Sequence, residues 1–284
     1  MRSDNVPEGS VGAVLEQATD ALSACSDAAR LEAEVLLAHA LARNRALLRA
    51  HPEQCLSPQQ RAHYLELVAR RARGEPLAYV TGEREFWSLA LRVGPEVLVP
   101  RPETELVVER CLALLAPEQA CRVAELGTGS GAIAIALATE RPQWRLTATD
   151  RSAAALRCAR ANAERLGAHN LEFLEGDWFE PLRSRRFHLI ASNPPYVAAA
   201  DPALQALRYE PSVALSPGPS GLEALRHLID QSPRFLYRPG WLVLEHGVGQ
   251  SAALSAALVA AGAVRVVCRR DLTGRDRVIE AQWL

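Results

Sequence analysis

The chain contains no lysine; its 32 basic side chains are all arginine. That excludes a lysine Schiff base and the lysine of a phosphate-binding P-loop. The abundance of alanine points to genomic base composition as the origin of the bias. Organised cysteine is missing too. Cys25, Cys55, Cys111, Cys121, Cys158 and Cys268 form no Cys-x-x-Cys pair, and the seven histidines form no His-Glu-x-x-His pattern. No metal is therefore expected, and scattered thiols suit a reducing compartment. Cys55 follows His51 by four residues, but Pro52 between them prevents a helical ligand pair. No stretch is long and apolar enough to span a bilayer. Residues 1–10 are polar and lack the apolar centre of a signal peptide. The net charge of -1 provides no basic field for nucleic acid. These absences predict a cytoplasmic protein that engages neither membrane nor nucleic acid directly, and a monomer is expected.

What is present reads as a globular protein: 284 residues, 49% hydrophobic and 23% charged, enough for one large or two smaller domains. Residues 1–74 carry helical spacing. Asp27 is expected to cap a helix through Leu31, Val35, Leu36, Leu37 and Leu41. Ser57-Pro58-Gln59-Gln60 combines a capping serine, a proline at the first helical position and a glutamine three residues on. The helix after it should turn Tyr64, Leu65, Val68 and Ala69 inward and stop at Gly74. Its arginines, Arg61, Arg70, Arg71 and Arg73, read as a solvated face, with an acidic partner's contact surface as the functional alternative. Residues 75–100 form a linker, in which the β-prone run from Phe86 to Val93 predicts a short hairpin. Glu103 to Leu115 should be an amphipathic helix.

From Cys121 onward strands and helices alternate, and 101–284 reads as an α/β domain. Strands are expected over 122–126, 145–149, 171–174, 187–192, 241–245, 264–268 and 277–283, and helices over 131–139 and 152–166. Such alternation implies a mostly parallel sheet covered on both faces. Pro211 to Gly221, rich in proline, glycine and serine, reads as a mobile loop.

Two segments carry the chemistry. Glu125-Leu126-Gly127-Thr128-Gly129-Ser130-Gly131 joins the first strand to the first helix of this domain, where glycines let a ligand approach the backbone closely. The spacing is Gly-x-Gly-x-Gly rather than the Gly-x-Gly-x-x-Gly of dinucleotide sites. Asp150 ends the next strand and can accept both ribose hydroxyls of an adenosine, or cap the helix that follows. Asp177 and Trp178, after the third strand, suit the amine and face of an adenine. Asn193-Pro194-Pro195-Tyr196 follows an apolar strand. Two prolines forbid a helix and a continued ladder, so the carbonyls of Asn193 and Pro194 lose their partners. With the Asn193 side chain and the Tyr196 ring, these acceptors suit a planar group bearing an NH2.

Together these segments resemble class I S-adenosylmethionine-dependent methyltransferases acting on a conjugated nitrogen. Gly74-Glu75-Pro76, Tyr79, Gly82, Glu85-Phe86-Trp87, Pro100-Arg101-Pro102-Glu103-Thr104-Glu105 and Glu245-His246-Gly247 extend the likeness to the release factor glutamine methyltransferase family. The resemblance implies methylation of the side-chain N5 of the glutamine in the Gly-Gly-Gln motif of class 1 peptide chain release factors. It implies a Rossmann-like domain with a mostly parallel seven-stranded sheet, plus a small all-α N-terminal domain joined by a β-hairpin linker. Its cofactor contacts fall on Gly127, Thr128, Gly129, Ser130, Gly131, Asp150, Asp177, Trp178 and Asn193. Its catalytic and substrate contacts fall on Asn193, Pro194, Pro195 and Tyr196, with Glu85, Phe86 and Arg101 as helpers. Two positions depart from the family pattern: Glu125 stands where aspartate is commoner, and Ser220 where an acid often precedes the second glycine. The rival readings are an adenine-N6 nucleic-acid methyltransferase, a dehydrogenase, and a non-catalytic translation-associated binding protein of the same fold.

Overall fold

A computed structural model describes residue 7 and residues 9–284. Residues 1–6 and 8, on which part of the reading of a polar, leaderless start rests, lie outside the described residues. The chain divides into two compact units, with the boundary after Gly82.

The first unit is helical: α1 (Val11–Leu22), α2 (Ala29–Leu41), α3 (Arg45–Ala50), α4 (Pro58–Ala72) and α5 (Leu77–Thr81). The capping box forms as expected. The Ser57 hydroxyl accepts from the Gln60 amide at 3.2 Å, and the Gln60 side chain accepts from the Ser57 amide at 2.9 Å. Asp27, by contrast, caps nothing: α2 starts after Ala28 without a side-chain cap, and the Ser26 hydroxyl accepts from the Ala28 amide instead. On α4 the buried residues are Tyr64, Leu67 and Val68, so Leu67 takes the inward place assigned to Ala69, which is exposed. Tyr64 is fully buried and donates to the Ala33 carbonyl at 3.1 Å, tying α4 to α2. The basic face of α4 is partly neutralised within the unit, Arg70 pairing with Glu75 and Arg71 with Glu32.

The second unit opens with the hairpin β1 (Glu83–Phe86) and β2 (Leu89–Arg92). The turn falls inside the expected β-run, at Trp87 and Ser88, both with positive φ (52° and 58°). That is the two-residue turn whose twist suits a hairpin. A 3-10 turn over Pro102–Thr104 leads into α6 (Glu105–Leu114), and then come β3 (Arg122–Leu126), α7 (Ala132–Glu140), β4 (Arg145–Asp150), α8 (Ala153–Leu166), β5 (Leu171–Glu175) and β6 (Phe187–Ser192). The unit closes with α9 (Ala203–Ala206), α10 (Glu223–Phe235), β7 (Leu236–Glu245), α11 (Ser251–Ala260), β8 (Arg265–Arg270) and β9 (Asp276–Trp283).

The strands form one seven-stranded sheet in the order β5-β4-β3-β6-β7-β9-β8, parallel except where β9 runs against its neighbours. Side chains alternate between faces along β3: Val123 packs with α6 and α7, Ala124 and Leu126 with α10 and α11. Every residue of α7 from Ala132 to Ala138 is buried, which is why its sequence carries no polar stripe. The chain winds outward from β3 to β5 and then returns to β6 on the other side of β3. The strand order therefore reverses between β3 and β6, and open α/β sheets bind ligands in the crevice at the carboxyl ends of such a pair.

Candidate active site

A cavity of about 420 Å³ opens at that crevice, wholly within the second unit. Its floor is the turn after β3. Gly127, Gly129 and Gly131 all have positive φ (73°, 57° and 86°), a region that costs any other residue about 1–2 kcal/mol. Gly127 and Gly129 line the cavity, as do Thr128 and Ser130. Gly131 does not: a Cβ there would lie 2.7 Å from Ile135 and 3.2 Å from Ala159, so this glycine lets α7 and α8 pack closely.

The amides of the turn are already committed. Gly127 and Thr128 donate to the Thr149 carbonyl at 2.9 and 3.0 Å, Gly131 to the Thr128 carbonyl, and Gly129 to Asp150 Oδ2 at 2.9 Å. Asp150 Oδ1 accepts from the Ser152 amide at 2.8 Å, while Ser152 itself caps α8. One hydrogen bond on each oxygen leaves the Asp150 carboxylate further lone pairs for a guest. Beneath the turn, Glu125 is 3% exposed. Its Oε2 accepts from the Thr128 hydroxyl at 2.5 Å and the Ala134 amide at 3.0 Å. Burial pushes this carboxyl up to about 8 despite both hydrogen bonds, with the charge of Asp150 adding to the rise. A buried carboxyl group that holds its proton up to about 8 therefore meets the N-terminus of α7, the place where dinucleotide folds bind a phosphate.

Asp177 and Trp178 line one wall. Trp178 is held at φ 45°, its carbonyl accepts from the Thr149 hydroxyl at 3.0 Å, and its ring lies over Gly127. Opposite, the parallel ladder between β6 and β7 ends at Ser192 and Leu244. The carbonyls of Asn193 and Pro194 then accept no hydrogen bond among the described residues. Asn193 Nδ2 donates to the Thr104 hydroxyl at 3.1 Å, and no donor among the described residues meets its Oδ1. Asn193, Pro195 and Thr104 line the cavity, whereas Pro194 and Tyr196 do not. Tyr196 points its hydroxyl at Glu245 Oε1 (3.0 Å), and burial together with that carboxylate pushes the phenol far up.

Three expected helpers sit elsewhere. Phe86 is 1% exposed in the core, and neither it nor the exposed Glu85 lines the cavity. Arg101 pairs with the buried Glu210 at 2.5 Å, and Glu210 also accepts from the Val99 amide at 3.0 Å. Sequence reasoning missed the far wall: Pro211, Val213, Ala214, Ser216 and Pro217, with Glu223 and His227 of α10. This is the segment read as a mobile loop. The structure ties it down instead, through Val197 to the Leu215 carbonyl (2.9 Å), Ala199 to the Gly218 carbonyl (3.0 Å), and Gln250, which donates to the carbonyls of both Tyr196 and Gly221. Ser220, one of the two departures, gives its amide and hydroxyl to Glu223 Oε1, so an acid reaches this turn from α10. No cluster of metal-ligating side chains occurs among the described residues, and no helix there is long and apolar enough to cross a membrane.

Residues 13–82 match the family described as the PrmC N-terminal domain, and residues 104–210 the methyltransferase small domain. The chain is 44% identical over 261 residues to a release factor glutamine methyltransferase of Coxiella burnetii, covering 92% of this chain and 94% of that protein. It is 49% identical over 251 residues to one of Xylella fastidiosa, covering 88% and 91%. A crystal structure of a methyltransferase from Pyrococcus furiosus superposes with a TM-score of 0.53 at 18% identity, over 75% of this chain and 96% of that one, a likeness of fold. With relatives this close over nearly its whole length, the chain belongs to the release factor glutamine methyltransferase family.

Proposed function

We propose that this methyltransferase uses the cavity between β3 and β6 to move the methyl group of S-adenosyl-L-methionine onto the side-chain N5 of the glutamine in the Gly-Gly-Gln motif of class 1 peptide chain release factors. When bound, the cofactor supplies a methyl group activated on a sulfonium. The residues present fit it. Asp150 keeps lone pairs for ribose hydroxyls, Trp178 offers a face and Asp177 an acceptor for an adenine, and the cavity has the volume of a small-molecule site. Glu125 already takes the Ala134 amide in the first turn of α7, a donor that a pyrophosphate bound at this helix end would use, which argues against the dehydrogenase reading.

The carrying observation is Asn193, which lines the cavity, gives its carboxamide NH2 to Thr104 and keeps Oδ1 without a donor among the described residues; the Pro194 carbonyl, next in the chain, likewise accepts nothing there. Two acceptors suit the two protons of a primary amide. An amide nitrogen is a poor nucleophile because its lone pair is shared with the carbonyl, a conjugation whose rotation barrier is roughly 18–20 kcal/mol. Hydrogen bonds to the NH2 return density to nitrogen but contribute only about 1–3 kcal/mol each. Holding the nitrogen in line can contribute on the order of 7–11 kcal/mol. Pro195 would wall the amide, and Tyr196 would support the segment from behind. Arg101, paired to Glu210, would hold the cavity's rim. We place the reaction in the cytoplasm, carried out by a monomer.

An adenine amine would use the same acceptors. Labelled methyl transfer to purified release factor, to the same factor with its Gly-Gly-Gln glutamine replaced, and to DNA separates the two. Label on the intact factor alone supports the proposal. Label on DNA, or on the factor lacking the glutamine, refutes it.

A further inference from the structure

Strand β7 runs parallel to β6, and β9 runs against both β7 and β8. The loop after β7 and the turn between β8 and β9 therefore stand at the same end of the sheet as Asn193. Each presents an apolar side chain to solvent. Val248, between Gly247 and Gly249, is 60% exposed, and Leu272 is fully exposed. Single exposed apolar residues are ordinary. These two are set apart by how firmly their backbone is held. Asp271 Oδ1 accepts from the Thr273 amide at 2.8 Å, the Thr273 hydroxyl at 2.6 Å and the Arg275 amide at 3.0 Å, and Oδ2 pairs with Arg277 at 3.4 Å. The Asp271 amide donates to the Arg275 carbonyl at 2.8 Å, and the Gly274 amide to the Asp271 carbonyl at 2.9 Å. A turn so fully bonded holds Leu272 out in water, where it packs on nothing.

Both segments are fastened to the acceptor motif. Gln250 Oε1 accepts from the Gly247 amide at 2.8 Å, and its Nε2 donates to the Tyr196 carbonyl at 3.1 Å. Gly247 lies against the Tyr196 ring, where a Cβ would come within 3.3 Å. The His246 amide donates to the Arg277 carbonyl at 2.9 Å and the Ser251 hydroxyl to Asp276 at 3.0 Å, which joins the loop to the β8–β9 hairpin. The turn is two to three strand spacings from β6, about 10–15 Å. A standard interface covers about 800 Å² of each partner, a disc about 16 Å in radius. A folded protein centred on Asn193 therefore reaches Leu272.

We infer that Val248 and Leu272 form a docking surface for the release factor, taking apolar side chains of the folded factor that lie beside its Gly-Gly-Gln segment. This rests on the reading of the release factor as substrate. The contact is remote from the reacting nitrogen, so it binds ground state and transition state alike and shows in KM rather than kcat. A rigid turn collects that energy without first being ordered.

The test measures methyl transfer and, separately, calorimetric binding of the factor. Leu272→Ser should raise the KM for release factor by about fivefold to fiftyfold, and Val248→Ser by about threefold to tenfold, with matching losses of affinity. Both side chains are exposed, so the urea midpoint should hold, and kcat and S-adenosylmethionine affinity should change by less than about twofold. Val259→Ser is the control: it is 63% exposed near the end of α11, which leads to the start of β8 at the opposite end of the sheet, and should leave KM unchanged. Wild-type KM and affinity in both variants, an equal loss in Val259→Ser, or a fall in kcat alone would overturn the docking surface while the function stood. A factor that binds the wild type, binds the variants more weakly and receives no methyl group would overturn the function and leave the surface. Neither binding nor transfer by the wild type would overturn both.

Discussion

Replacing Glu125 by glutamine should make the protein less sensitive to alkali, which is an unusual thing to expect of a cofactor-site substitution. The carboxyl is sealed beneath the glycine turn and is raised from 4.5 to about 8, mainly by burial. In the unfolded chain it ionises near its ordinary value. Between those two points the folded state holds a proton the unfolded state has released, so stability falls as pH rises. The contribution is complete below about 4.5 and gone above about 8. At about 1.4 kcal/mol per tenfold in proton affinity, the whole span is worth on the order of 5 kcal/mol, comparable to the total stability of many domains. Glu125→Gln stays neutral, and its amide oxygen can still accept from Thr128 and Ala134. The two proteins should be nearly equal at about pH 5 and separate progressively toward about pH 9, the variant becoming the more stable by several kcal/mol.

Urea unfolding reads this directly. All five tryptophans, Trp87, Trp144, Trp178, Trp241 and Trp283, lie in the second unit, so their fluorescence reports that unit alone. With a slope of about 2–3 kcal/mol/M, the midpoints should part by roughly 1.5–2.5 M across the window. Glu245, raised to about 7, adds its own decline to both proteins and cancels in the difference. Parallel midpoints for wild type and variant across the whole range would refute the reasoning, because a carboxyl that titrates normally in the folded state contributes no such slope.

Asp150→Ala removes the acceptor for the Gly129 and Ser152 amides as well as the ribose site, and should weaken S-adenosylmethionine binding by about tenfold to a hundredfold in calorimetry with a smaller effect on kcat; unchanged affinity would count against the contact. Gly221→Ala forces a side chain onto φ 74° and within 2.5 Å of the Tyr196 carbonyl, so it should impair turnover and lower the melting temperature together, whereas wild-type kinetics would show that the wall it anchors is dispensable. Arg101→Ala strands Glu210, 3% exposed, without its cation, and should cost about 3–5 kcal/mol by urea unfolding. A change in the KM for release factor at unaltered stability would instead make Arg101 a direct substrate contact.

The parts of this molecule legible in its sequence are those whose physics is local. Strand alternation gave the parallel sheet, because each strand of a buried sheet is a short apolar run wherever it stands. The capping box of α4 and the end of the ladder at Asn193 could be read because prolines and caps act over three or four residues. Local signals also misled where a nearby competitor won. Ser26 rather than Asp27 serves the start of α2, and Gly131 packs helices instead of facing the cavity. Helices α10 and α11 escaped notice for opposite reasons, the first carrying Pro233 within it and the second being almost wholly small and apolar, without a polar stripe to mark its face. The far wall was hidden by composition. A segment of prolines, glycines and serines looks loose, and only the fold shows that Leu215, Gly218 and Gly221 find partners on Val197, Ala199 and Gln250.

The arrangement behind Asn193 was beyond any local signal. Asn193 and Thr104 are 89 positions apart, and Tyr196 and Glu245 are 49 apart. Nothing in the tetrapeptide says which way its carboxamide faces, since oxygen and nitrogen differ there by two hydrogens and little in shape. In the fold the Thr104 hydroxyl, brought alongside in the 3-10 turn before α6, accepts from Nδ2 and leaves Oδ1 without a donor among the described residues. A motif can therefore announce that an acceptor is needed, while the residue that meets the other side of its carboxamide lies in a distant segment. That is why substitutions at Thr104, which lines the cavity and holds the NH2 of Asn193, should divide rate from affinity more cleanly than substitutions within the motif itself.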